Sequence, residues 1–206
     1  MSRKNLGKIG FLIFLVISVF LLFCLLDFIS ILKLKNFAKS LSFPNDLPIM
    51  QVVFYGKSED LGMNTLSARI SILDSSGNDV SVIERSWKND GIEILFKKTD
   101  FSGFSFYFPK HIYGKNYDSF TNSWKIESGG TNLIPYYMEN KKCLLYNPIE
   151  KNKLSEELFK TADFSLNRFS VFSNKYTSDV VIDLSKCEHG KVYSIVINKS
   201  GNLVLK

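Results

Sequence analysis

The chain has 206 residues, 45% of them apolar and 22% charged, with a formal net charge of +6. Residues 1–39 hold six basic side chains against one acidic, which leaves twenty against nineteen for the rest. A near-neutral remainder lacks the basic excess that phosphate backbones demand, so nucleic acid is excluded as the expected partner, and its length suits one domain with its own core. Arginine appears only at positions 3, 69, 85 and 168, and Asn, Ser, Ile and Phe are abundant, which resembles the coding bias of an AT-rich genome, with a bacterial one as the expectation.

From Ile9 to Leu26 the sequence runs without a charge, and after Asp27 it resumes with Phe28-Ile29-Ser30-Ile31-Leu32 before Lys33. Crossing a hydrocarbon core of about 30 Å takes roughly 20 apolar residues at about 1.5 Å each, and this stretch supplies them as a helix. A helix apolar on every side belongs in a membrane or in the middle of a large protein, and this chain is not large. The apolar region exceeds the 7–15 or so residues of a cleaved signal peptide, so residues 9–32 are expected to remain as a signal-anchor; cleavage after Ser40, with Ala38 two positions earlier, is the competing reading. Cys24 lacks the small residue that precedes a lipoprotein cysteine and reads as an apolar helix residue.

Arg3, Lys4 and Lys8 precede the span, and Lys33, Lys35 and Lys39 follow it. The terminal amine tips this balance inward, and two cysteines far beyond the span suit an oxidising compartment. Residues 1–8 are therefore expected in the cytoplasm and the rest outside. Asp27 would cost about 2.5–3.5 kcal/mol at the bilayer centre. The expectation is solvation at the outer interface, with an intramembrane contact to a partner helix as the alternative.

Leu34, Phe37, Ala38 and Leu41 continue the helical spacing to about Ser42. Pro44 and Pro48 then stop the helix, so residues 33–48 read as a stalk and stiff linker. Residues 49–206 read as an extracytoplasmic β-rich domain. Met50 to Tyr55 is β-branched and aromatic, and Ala68, Ile70 and Ile72 alternate. A turn at Asp74-Ser75-Ser76-Gly77-Asn78 leads to Val80 and Val82, completing a hairpin signature. Asn89-Asp90-Gly91 predicts a turn before the alternating Ile92, Ile94 and Phe96. The run Phe104 to Phe108 is expected to stop at Pro109, which cannot donate to a ladder. Residues 110–150 mix turn residues and aromatics without a clear period. Leu154, Leu158, Phe159 and Ala162 share a helix face after Ser155-Glu156-Glu157 in the first turn. Strands return at 180–184, 193–197 and 203–205, the last two joined by a loop at 198–202. Many short strands with one short helix predict a mostly β chain: an N-terminal transmembrane helix, then an antiparallel β-sandwich-like or barrel-like domain.

Little of this pattern carries chemistry. Cys187-Glu188-His189 are adjacent metal-ligand types, but neighbours on a strand or turn point apart, so no metal or other cofactor is expected; a Cys–His nucleophile using His111 or His189 has no supporting motif. Gly-rich phosphate loops, His-Glu-x-x-His and Gly-x-Ser-x-Gly are absent. Cys143 and Cys187 can instead close a disulfide, worth about 2–4 kcal/mol, with two buried free thiols as the alternative. The Phe residues at 104, 106 and 108 read as core. Tyr113, Tyr117, Trp124, Tyr136 and Tyr137, set among Asn, Ser and Gly, form a candidate binding surface for a protein or a glycan. The expectation is a non-enzymatic, single-pass protein of the bacterial inner membrane whose β-domain binds an envelope partner protein, with carbohydrate or cell-wall binding as the alternative.

Overall fold

The computed structural model describes residues 3–41, 44, 46–60, 63–101, 103–118, 123–126, 130–147, 152–166 and 172–206. Helix α1, Arg3–Ser40, is continuous through the apolar run, as expected of 38 residues without a proline. Its side chains from Phe11 to Phe23 lie open, as do Leu25, Leu26, Phe28 and Ile29. By length and composition this helix is a candidate membrane span.

The β-domain is mostly strand and wholly antiparallel among its described pairings. In chain order its main strands are β1 (Leu47–Asp60), β2 (Met63–Leu73), β3 (Asp79–Trp87), β4 (Gly91–Phe101), β5 (Phe104–Asp118) and β6 (Ser123–Ile126). Short pieces β7 (Thr131–Asn132), β8 (Met138–Glu139) and β9 (Lys142–Cys143) follow, then helices α2 (Asn152–Leu166) and α3 (Ser173–Tyr176). β10 (Thr177–Asp183), β11 (Val192–Ile197) and β12 (Leu203–Leu205) end the chain. One sheet has the order β12-β11-β1-β2-β3; the other runs β10-β4-β5-β6, with β7 also on β5.

The alternating residues place one core between the sheets. Ala68, Ile70 and Ile72 from the first sheet, and Ile92, Ile94, Phe96, Phe106 and Phe108 from the second, are buried in a single cluster. Leu158 and Ala162 of α2 join it, with Leu154 and Phe159 at its margin, which is the predicted helix face. The β2–β3 turn forms around Asp74, whose Oδ1 accepts the N–H groups of Ser76 and Asn78 at 2.8 and 2.9 Å. Gly77 there has φ of +81°, a conformation that a Cβ would strain.

Three expectations change. β5 does not stop at Pro109 but runs on to Asp118. The Pro109 carbonyl points away from β4 and accepts the Tyr137 hydroxyl, so the missing donor also faces a side with no strand partner, where proline is tolerated. Val82 does not continue the inward face: the register shifts between Ile72 and Leu73, leaving Val80 partly buried while Val82 pairs with Ser71 on the outer face. Such a bulge flips the side-chain alternation by one residue. Finally, residues 33–41 are no free stalk. Ile31, Leu34 and Ala38 are buried against the domain, with Phe37 and Leu41 packed on the same core. Of the linker, residues 42, 43 and 45 lie outside those described.

Candidate functional site

The five aromatics do not form one surface. Tyr137 is fully buried, its hydroxyl donating to the Pro109 carbonyl at 2.9 Å; its neighbour Tyr136 is 40% exposed on the 3-10 turn Ile134–Tyr136. Tyr113 is half-buried, its ring 5.6 Å from that of His111. Tyr117 and Trp124 stand opposite each other in the β5–β6 register, with side chains outside the described residues. Tyr137 is drawn inward because residues 133–147 cover the open edge of β5. Along that edge Leu133 N–H donates to the Lys110 carbonyl, and the Tyr146 hydroxyl accepts Tyr107 N–H at 2.8 Å and donates to the Tyr107 carbonyl at 2.7 Å. One phenol thus does the work of a strand partner, satisfying both polar groups of an edge residue. The Tyr146 ring meets Phe106 and Phe108 edge-on, at 83° and 90°.

The expected disulfide is not formed: Cys143 and Cys187 both carry free thiols. Cys143 lies on β9 with no exposed surface, packed against α2, and burial pushes its thiol up to about 12. Cys187 is half-buried after β10, its pKa raised by burial and by the Asp183 carboxylate. Neither is poised as a nucleophile. His111 is held below its ordinary value by burial and by Lys110, and its Nδ1 is buried without a hydrogen bond. His189 is exposed in the β10–β11 loop. Glu188, between Cys187 and His189, pairs instead with Lys191 at 2.7 Å. Among the described residues no three metal-ligand side chains gather.

A buried charge cluster was not anticipated. Lys115 on β5 lies 3.2 Å from Glu93 on β4 and 2.9 Å from Asp183 on β10, with Lys115 and Glu93 both almost wholly buried. Burial alone would lower the Lys115 pKa, but the bonds to Asp183 and Glu93 raise it on balance. Burial likewise opposes Asp183, which the Ser185 and Lys115 bonds nonetheless hold below its ordinary value. Beside this cluster the Asn89 side chain presses on Gly114 so closely that a Cβ would come within 1.8 Å of its Nδ2. The cluster ties three strands of one sheet together and is better placed to fix register than to meet a substrate.

The open surface that sequence reasoning missed is the outer face of the first sheet. The register puts Val192, Val53, Arg69 and Glu84 in one row and Ser194, Gln51, Ser71 and Val82 in the next, with Ser71 buried between its neighbours. Tyr55, at the bulge in β1, reaches the same face, its hydroxyl donating to Glu84 at 3.0 Å. Tyr55, Val82 and Val192 are 56, 40 and 60% exposed. A Ser67–Ser86 hydroxyl pair at 2.7 Å lies beside them. The face offers apolar anchors among short hydroxyls and one Arg–Glu row, a composition suited to binding and without a nucleophile–base pair. The signal was present as an odd aromatic before Gly56, but the β3 bulge hid the direction of Val82.

Asp27 is half-buried, and its Oδ2 lies 3.4 Å from the backbone N–H of Phe172, so it meets this chain's own domain. Comparison with protein-family models, with curated proteins and with solved structures finds no match.

Proposed function

We propose that this is a non-enzymatic, single-pass membrane protein of a bacterial envelope, with its amino end inside the inner membrane and a β-domain outside that binds a partner protein. One observation carries the reading: an apolar helix left uncovered by its own chain leads straight into a domain whose first sheet presents Tyr55, Val82 and Val192 on an open face. Exposed apolar side chains set among polar ones across one open sheet face suit an interaction surface. Cys143 is sealed in the core, and Lys115, Glu93 and Asp183 engage one another, which favours binding over catalysis.

The test is affinity capture of the full-length protein from its native membranes through a tag after Lys206, beside the V82D/V192D variant. Both sites are exposed, so the variant should fold, each change costing at most about 1 kcal/mol through the lower strand preference of Asp. The reading expects a stoichiometric companion with the wild type and its loss from the variant. Equal recovery from both would remove this face as the site, and no companion would remove the partner-protein reading. Carbohydrate or cell-wall binding stands second, favoured by the cross-strand placement of Tyr117 and Trp124. Glycan binding unaffected by W124A and Y136A would dispose of it.

A further inference from the structure

The contact between α1 and the domain reaches deeper along the helix than a tether requires. Cys24 and Asp27 are less exposed than the residues around them, and Ile31, Leu34 and Ala38 are buried. These five positions alternate in steps of three and four, a single seam along one side of a helix. Asp27 lies about 16 Å before Ala38 along the axis at 1.5 Å per residue. There its carboxylate meets the Phe172 N–H. One turn beyond Ile31, Lys35 Nζ donates to the Tyr176 hydroxyl at 3.2 Å and lies 4.8 Å from the centroid of the same ring, an ion held over an aromatic face. Tyr176 packs in turn on Phe101, at 5.6 Å between centroids. Helix and domain are thus joined across several turns.

This join fixes a height. The uncharged run Ile9–Leu26 spans about 27 Å as a helix, nearly the thickness of a hydrocarbon core of about 30 Å. The domain contact begins at its last turn, from Cys24 to Asp27. Phe172 therefore lies level with the boundary, 37% exposed, with Asn174 and Lys175 exposed beside it. Lys33 stands exposed on the second turn of α1 beyond Asp27. An open aromatic at headgroup depth, with lysines just beyond it, is the arrangement that settles at a membrane–water interface. We infer that the end of the domain bearing Phe172, Lys175 and Tyr176 rests directly on the lipid bilayer, its ligand being the headgroup and upper acyl layer. This rests on the reading of α1 as a membrane span.

The test uses full-length protein in phosphatidylcholine vesicles with and without bromine on the acyl chains, comparing F172W with L22W inside the span and V192W on the open face of the first sheet. Bromine quenches tryptophan at close range. The emission added by F172W should fall roughly twofold or more, as should that of L22W, because interfacial aromatics sit at acyl-chain depth. The V192W signal should not change. Quenching of L22W with F172W as indifferent as V192W would overturn the bilayer contact and leave the span standing. An unquenched L22W would overturn the span and the contact together. Should F172W disturb the Asp27 bond, N174W on the same exposed turn gives the same readout.

Discussion

Tyr146 concentrates much of the edge protection of β5 in one oxygen. Removing that oxygen leaves the buried N–H and carbonyl of Tyr107 facing a hydrocarbon ring edge. Y146F is expected to cost about 2 kcal/mol, read as a lowered urea midpoint with an unchanged slope. A loss under about 0.5 kcal/mol, the scale of a surface change, would mean that water takes over both groups. At Cys143, burial pushes the thiol up to about 12. A thiolate reagent at pH 8 should therefore leave Cys143 untouched in the native protein, and label it together with Cys24 and Cys187 once the unreduced chain is denatured. Only Cys24 labelling after denaturation would instead reveal a bridge.

At the scale of elements, Lys115 links β4, β5 and β10 through two carboxylates, and the fold depends on keeping the set whole. K115M strands Glu93 as a buried charge and should cost about 3 kcal/mol; K115M/E93L, which removes both, should recover much of that. Linkage gives the cluster a pH window. Asp183 sits below its ordinary 3.8, so its contribution is present above that value and lost as pH falls through the depressed one. Lys115 sits above its ordinary 10.5, so its share is full below 10.5 and lost as pH rises through the raised value. Acid and base titrations of stability should both be flatter in K115M than in the wild type. Much of the element order was legible, because Ala68, Ile70 and Ile72, or Ile92, Ile94 and Phe96, keep a strict period of two. What escaped was non-local. A bulge at Val80 inverted β3, and the continuation of β5 through Pro109 depends on which side of the strand lacks a neighbour. The inward turn of Tyr137 depends on a pairing partner, Pro109, distant in sequence. No local period encodes these.

For the whole molecule, the joint between α1 and the domain decides what the chain is. Sequence alone marked the span by its missing charges and the helical continuation by Leu34, Phe37, Ala38 and Leu41. It assigned that continuation to a stalk because an amphipathic stripe does not say what covers it. Here the stripe is covered by the domain itself, and Leu34→Ala should cost about 2–3 kcal/mol by opening that seam. The central claim is a retained anchor holding the domain outside the cytoplasm. Its most direct measurement is external proteolysis of intact spheroplasts carrying the full-length protein with a tag after Lys206, the membranes then being pelleted and washed at alkaline pH. The account predicts that protease destroys the tag without lysis, and that in untreated cells the protein stays in the washed pellet. A tag protected until the cells are broken, or a protein released by the wash, would contradict it.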